Sequence, residues 1–419
     1  MLLKTILNRI EHYKSFVYVK SRMVDNAAGE PTLEVTLRPR ANGRPICSGC
    51  HRVRPGYDRQ PPRRFEFIPL WGIPVFFIYA LRRVNCPRCG VLVEEVPWGD
   101  GKCTLTKSYR WFLARWARRL SWKETAAVFG TSWDKVFRAV QYAVFWGLAR
   151  RKLTGIKAIG VDEIQWRRGH KYLTLVYQID QRAKRLLWVA QDRTEQSLRG
   201  FFTKLLRKRK SRRLRFACSD MCPAYLAVLR EHAINAVLVL DRFHVMAKLN
   251  KALDEIRAAE ARRLAHEGYE PLLKHSRWCL LKRPENLTEQ QTVKLKELVK
   301  YNLQSIRGYL QREDFQRFWE YRSPAWAKKF LDEWCGRVMR SRIEPMKKVA
   351  RTLRRHEDLL LNWFHAKGTI SNGTVEGFNN KAKLIMRKSY GFRTPYAIAI
   401  ALFHGLGDLP EPIFTHKFC

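Results

Sequence analysis

Two sets of side chains in this sequence could hold metal ions, and they differ in chemistry. The first is a pair of C-x-x-C knuckles, Cys47-Ser-Gly-Cys50 and Cys86-Pro-Arg-Cys89, with residues 51–85 between them. Each knuckle aims two thiolates at one point, so four cysteines at this spacing predict a tetrahedral structural Zn2+ site. The long gap implies an inserted hairpin, Phe65 to Val84. His51 could replace one thiolate, or it is simply basic surface beside a knuckle. Cys103, Cys218, Cys222, Cys279, Cys335 and Cys419 lack such partners and read as core or incidental.

The second set is oxygen chemistry. Asp162 and Asp220 each close a run that alternates like a strand, and a divalent cation would offset the repulsion of two carboxylates brought together there. A third acid, Glu376, lies in SNGTVEGFNNKAKLIMRKSYGF, residues 371–392. Val375, Phe378, Ala382, Ile385 and Met386 recur at helical spacing, while Glu376, Asn379, Asn380, Lys383 and Arg387 fall on the other side. Either Ser371 or Asn372 could cap that helix. A carboxylate in such a face could hold a metal while the cations beside it meet phosphate, with Asn380 orienting it; the plain alternative is a solvated amphipathic helix.

The elements that must position these groups can be read in order. Phe16–Val19 and Leu33–Leu37 alternate as short strands ahead of the cysteine module. From Leu105 to Leu148 the pattern is helical, and Ser121 to Arg138 has a helix-turn-helix layout. Small Ala126 and Ala127 allow close crossing, Gly130 makes the turn, and Thr131 or Ser132 caps the second helix. That helix would offer Trp133, Lys135 and Arg138, with Asp134, to a major groove. Strands follow at Ile156–Glu163, Tyr172–Ile179 and Leu186–Ala190, then a helix from Glu195. A fourth strand, Leu214–Cys218, precedes Ser219-Asp220, and a fifth, Ala236–Leu240, precedes Asp241-Arg-Phe-His244. A meander followed by α/β crossovers is a ribonuclease H-like layout, in which strands one and four are neighbours. Asp241 competes with Asp220 for the second position, and that neighbour rule favours Asp220. Glu163 should point to the face opposite Asp162. Residues 246–365 are helical throughout, with a capping box at Thr288 and Gln291 and tryptophans at 278, 319, 326 and 334.

The expected organisation is therefore α+β and multidomain: a zinc-binding module over 1–100, a helix-turn-helix domain over 101–153, and a ribonuclease H-like catalytic domain in two parts. Those parts span 154–245 and 366–419, interrupted by an all-helical insertion over 246–365. Composition supports a globular protein that works on a polyanion. The chain of 419 residues is 46% hydrophobic, and 80 Lys plus Arg against 38 Asp plus Glu leave a net charge of +42. So large an excess opposes compaction, and nucleic acid is its usual reason. The cations are spread along the chain and not gathered as for a membrane surface. No secretory signal is seen, and the longest apolar run, Ile68–Leu81, is broken by Pro69 and Pro74. A cytosolic protein bound to DNA or RNA is expected.

Gly160-Val-Asp162-Glu163, Ser219-Asp220-Met221, Asp241-Arg-Phe-His244-Val245 and Ser371-Asn372-Gly373 through Asn379, extended by Lys383 and Tyr390-Gly391-Phe392, resemble the bacterial insertion-sequence transposases of the ISL-three family. The cysteine knuckles and helix-turn-helix also stand where that family has them, so the resemblance covers almost the whole chain. It implies that Asp162, Asp220 and Glu376 are the catalytic acids, that Mg2+ (or Mn2+) is the cofactor, and that Asp241 and His244 form an accessory D-x-x-H motif near the site. It also implies a bacterial protein, cytoplasmic and nucleoid-associated. Asp241 as a strand-end turn and His244 as a helix-start residue stay open beside that role.

Those expectations give a mechanism. Two Mg2+ ions on three carboxylates would activate water at the element's end and then direct the freed 3′-hydroxyl against target DNA. Double-stranded DNA is the partner, both as terminal inverted repeats and as target, and pairing two ends calls for at least a dimer. The alternatives are a non-catalytic DNA-binding regulator and a nuclease without strand transfer.

Overall fold

The computed structural model describes residues 3–269, 271–366, 373–389 and 391–413. It divides into two compact units, Met1–Lys152 with Leu384–Cys419, and Leu153–Lys383. Ser371, Asn372, Tyr390 and Cys419, named above, lie outside the described residues.

In the first unit α1 (Leu3–Ile10) precedes β1 (Phe16–Asp25), β2 (Pro31–Pro39), β3 (Gly56–Leu70), β4 (Ile73–Cys86) and β5 (Gly90–Val93). The sheet runs β1-β2-β4-β3, with β5 on β4. The period-two pattern buries Val35, Leu37, Phe65, Phe67, Val75, Phe77 and Tyr79 on one face, where Trp98 packs edge-on against Phe16 and Tyr79. The expected hairpin is β3–β4. Its two-residue turn, Trp71-Gly72, has φ of 50° and 81°, the conformation that follows the twist of the strands.

Three helices follow: α2 (Lys107–Trp116), α3 (Trp122–Val128) and α4 (Trp133–Arg150). Ser121 and Glu124 form a capping box on α3, and Ser132 caps α4 by accepting from the Lys135 N–H. Gly130 turns between them at φ 59°. Ala126 is buried at this crossing, but Ala127 is exposed, one position round the helix.

The second unit carries β6 (Ala158–Arg167), β7 (Lys171–Asp180), β8 (Ala183–Gln191), α5 (Glu195–Gly200), a π-helical turn (Phe201–Leu205), α6 (Lys208–Ser211), β9 (Phe216–Ser219), α7 (Pro223–His232) and β10 (Val237–Leu240). The sheet order is β10-β9-β6-β7-β8. β6, β7 and β8 pair antiparallel, whereas β9 pairs parallel with both β6 and β10. This is the ribonuclease H-like topology, with strands one and four adjacent. The first strand runs past the expected end at Glu163 to Arg167 because its two neighbours differ in length: β9 pairs with it only from Ala158 to Gly160, while β7 continues to Arg167. Asp162 therefore sits just beyond the end of the parallel ladder, inside a continuing hairpin.

One face of this sheet packs Ile159, Val161, Val176 and Leu187 against Phe201, Tyr225 and Val228. Beyond it come α8 (Arg242–His266), α9 (Arg277–Leu281), α10 (Glu289–Leu298), α11 (Gln304–Gln316), α12 (Pro324–Arg340), α13 (Glu344–Arg355) and α14 (Glu357–Ala366). The capping box of Thr288 and Gln291 forms on α10. Trp319 and Trp334 are buried, whereas Trp278 and Trp326 are exposed. Buried Glu260 accepts from the Gln304 and Ser305 N–H groups and so satisfies the start of α11. The helical block shares its apolar core with Met221, Leu226, Val239 and Leu240 of the sheet region, and Asn362 donates to the Leu238 carbonyl at 2.9 Å. Among the described residues no helix is long and apolar enough to cross a membrane.

α15 (Thr374–Lys388) brings the expected apolar stripe to the other face of the sheet: Val375 lies on Gly160, and Phe378 stacks on Tyr177 at 4.7 Å. Its last turn, with α16 (Pro395–Leu406), belongs to the first unit, where Ile400 joins the core of α2 and α4. A Cβ on Gly160 would collide with Val375 Cγ2. Gly160→Ala should therefore destabilise the protein by about 1–3 kcal/mol, read as a lower denaturant midpoint, because a tight contact is overpacked. Val375→Ala in the same chain should recover part of that loss.

Candidate active site and metal centre

The Sγ atoms of Cys47, Cys50, Cys86 and Cys89 all lie within 4.8 Å of one another. The β4–β5 turn forms one knuckle and residues 46–53 the other, tied by bridges between Ile46 and Val53 and between Cys47 and Glu94. Gly49 is needed at this approach, since a Cβ there would meet Leu92 Cδ1 at 2.9 Å and Cys89 Sγ at 3.1 Å. Burial disfavours a charged Cys86, yet N–H groups of Arg88 and Cys89 outweigh it and pull the thiol down to about 6. His51 is outside the quartet: its Nδ1 pairs with Glu95 at 2.8 Å on the surface. Four convergent sulfurs with N–H donors around them suit a soft, tetrahedral ion.

The acids gather at the end of the parallel ladder, where β9 and β10 stop and β6 runs on beside β7. Asp162 is buried, and three groups bond its carboxylate. Oδ1 accepts from the Glu163 N–H at 2.8 Å, while Oδ2 accepts from Asn379 Nδ2 at 2.5 Å and lies 3.2 Å from His244 Nε2. Asn379 in turn accepts from the buried Tyr177 hydroxyl at 2.9 Å. Asp220 follows β9 directly; its Oδ1 accepts from the Cys222 N–H at 3.0 Å and its Oδ2 from Arg193 at 2.8 Å. Arg193 also reaches Glu163 at 3.0 Å. Glu163 faces away from Asp162's partners, as strand alternation requires, and it meets Asp220 through that guanidinium.

Asp241 caps α8 by accepting from the Phe243 N–H at 2.9 Å, and His244 sits one residue further, in the first turn. The local reading of this motif and its nearness to Asp162 thus hold together. Glu376, on α15, is half-buried and has no hydrogen bond or ion pair among the described residues. The electrostatics reflect the crowding. Burial, then the charges of Asp220 and Asp162, push Glu163 up to about 7 against the pull of Arg193. Burial and the charges of Asp162 and Glu376 raise Asp241 to about 6. Burial would lower His244, but its bond to Asp162 and the surrounding acids raise it to about 9. The carboxylates do not converge as the cysteines do: among the described residues only the thiol quartet has three or more ligand atoms within 4.8 Å of one another.

The family model of the ISL3 DDE transposases, described as "Transposase", matches residues 159–401. The chain belongs to this transposase family. The transposase for insertion sequence element IS1001 of Bordetella parapertussis is 27% identical over 365 residues, 86% of this chain and 88% of that protein. The transposase for insertion sequence element IS1557 of Mycobacterium tuberculosis is 28% identical over 424 residues, 92% of this chain and 91% of that protein. Among solved structures, the Drosophila P element transposase strand transfer complex aligns with a TM-score of 0.39 at 8% identity, over 73% of this chain and 93% of that one.

In this ISL3 transposase the remaining sequence-derived positions fall on two helices. At the start of α4, Trp133 is 57% exposed, but Lys135 pairs with Glu66 and Arg138 with Asp134 at 3.0 Å. On α15, Asn380, Lys383 and Arg387 are exposed without an ion pair among the described residues. Sequence reasoning passed over Asn379 and Arg193 as site residues. Asn379 looked like one more amide on a polar face, and Arg193 one more cation after a strand; only the long-range contacts set them apart. Asn379→Ala would orphan the buried Tyr177 hydroxyl and cost about 1–3 kcal/mol. Asn379→Asp, which sets a second carboxylate against Asp162, should cost more, and a urea titration of both variants gives that order.

Proposed function

We propose that this transposase binds the terminal inverted repeats of an insertion sequence, cuts at the element's ends and joins the freed 3′-hydroxyls to target DNA in the bacterial cytoplasm. The observation that carries the reading is the parallel pairing of β6 with β9 in a ribonuclease H-like sheet, which brings Asp162 and Asp220 to the same end of that ladder, with the helix that bears Glu376 packed on the sheet. The donor set suits a hard divalent cation: the candidate ligands are all carboxylate oxygens, and the carboxylate of Glu376 has no hydrogen bond or ion pair among the described residues. Asp162, Asp220 and Glu376 would hold Mg2+ (or Mn2+), which supplies Lewis-acid activation of the attacking oxygen and stabilisation of the leaving one.

The chain's own residues do the rest. Asn379 and His244 grip Asp162 from two directions and fix its carboxylate. Glu376, with no hydrogen bond or ion pair among the described residues, is left to act as a ligand. Lys383 and Arg387, exposed along the same helix, would meet the DNA backbone, with Asn380 orienting a phosphate. Trp133, Lys135 and Arg138 at the start of α4 would contact the inverted repeats, Lys135 and Arg138 exchanging their present ion pairs for phosphates. Cys47, Cys50, Cys86 and Cys89 would hold structural Zn2+. Two ends must be synapsed, so the working form is at least a dimer.

Glu376→Gln should abolish Mg2+-dependent cleavage and joining on DNA that flanks the element's own gene, while gel-shift binding to the same ends survives. Wild-type protein that binds ends yet never cuts them overturns the enzyme reading, and cut ends with no joined product leave a nuclease. Metal analysis should return one zinc per chain. Cys86→Ser should lose it and lower the melting temperature, whereas Cys103→Ser should keep it.

A further inference from the structure

Arg193 is held in place more firmly than a surface cation needs to be. The residue before it, Asp192, adopts a left-handed conformation at φ 66°, which a short polar side chain tolerates. Its N–H donates to the Tyr172 carbonyl at 2.9 Å, and its carbonyl accepts from Thr174 Oγ1 at 2.6 Å. The residue after it, Thr194, caps α5. Both sides of Arg193 are thus pinned, to β7 and to a helix start, and its side chain is delivered between Glu163 and Asp220.

We propose that Arg193 is a positioning residue: paired with Glu163, it keeps Asp220 apart from Asp162 and Glu376, and Asp220 must leave it before the three acids can share a divalent cation. The inference rests on the metal reading above. Its first ground is that the acids do not converge, while Asp220 has a strong partner elsewhere. Its second is the anchor. Glu163, on the same strand as Asp162 but pointing to the other face, holds the guanidinium beside Asp220 and shares its charge, so the hold of Arg193 on Asp220 is strongest when Glu163 is gone. A guanidinium between two carboxylates offsets the repulsion that burial would otherwise make costly, so the protein is stable without the ion. The same bond makes Arg193 and the cation competitors for one carboxylate.

Competition fixes the signs of two substitutions and, more usefully, their coupling. Removing the competitor, Arg193→Gln, should tighten Mn2+ binding about tenfold. Glu163→Gln releases Arg193 to pair with Asp220 alone and should weaken Mn2+ binding several-fold. A simple loss of nearby charge would give the same two signs. The double variant separates the explanations, because Glu163 acts here only through Arg193. Mn2+ is titrated calorimetrically into the zinc-loaded full-length chain and its single and double variants, each first checked by thermal melt. Arg193→Lys stands in if Arg193→Gln does not fold, with an intermediate affinity expected.

Glu163→Gln should weaken binding in the wild-type background and leave it unchanged in the Arg193→Gln background. An equal factor in both backgrounds overturns the proposal, since Glu163 then acts by its own charge or as a ligand. So does weaker binding in Arg193→Gln. If the wild-type chain takes up no Mn2+, the metal reading falls as well; if it does and the factors are equal, only this inference falls.

Discussion

Burial of negative charge at one end of a short parallel ladder is the constraint on which the second unit depends. Asp162, Asp220 and Asp241 are all buried and close enough to raise neighbouring acids, in a chain whose net charge is +42. Such a cluster folds only if each carboxylate is given donors. Asp162 has Asn379 and His244, Asp220 has Arg193 and a backbone N–H, and Asp241 has the start of α8. Those donors come from segments far apart in sequence. Satisfying the acids therefore ties the helix of Glu376, the loop after β8 and the first turn of the helical block to one strand.

Packing and polarity meet at Gly160 and Asn379. The missing side chain at Gly160 lets Val375 close onto the sheet, and that approach brings the Asn379 amide within reach of Asp162. Phe378 stacked on Tyr177 sets the rotation of the helix, and the Tyr177 hydroxyl completes the amide's bonding. A five-residue stretch of α15, Val375 to Asn379, thus serves both the apolar contact and the carboxylate.

Much of this was legible in the sequence because it is local. The cysteine spacing, the capping box at Thr288, the strand alternation and the order of strands and helices are all properties of short windows, and each is found in the structure. Strand adjacency also followed, since the crossover pattern leaves little choice for strands one and four. What could not be read was set by partners distant in the chain. Arg193 is one of 80 cations until the fold puts it between Glu163 and Asp220. Lys135 pointed to a groove-facing role by its place in α4, and its ion pair with Glu66 comes from a strand some seventy residues earlier. The extension of β6 past Glu163 likewise depends on how far each neighbouring strand happens to run.

The first unit is discontinuous along the chain, and this matters for how the protein is made. The α2–α4 core takes in Ile400, and the last turn of α15 belongs with it. During synthesis the helix-turn-helix emerges early but waits for more than two hundred further residues before its last apolar partner leaves the ribosome. Nascent chains and products of a prematurely stopped message therefore carry an unfinished core, and such fragments are poor candidates for free-standing competitors of the full-length protein.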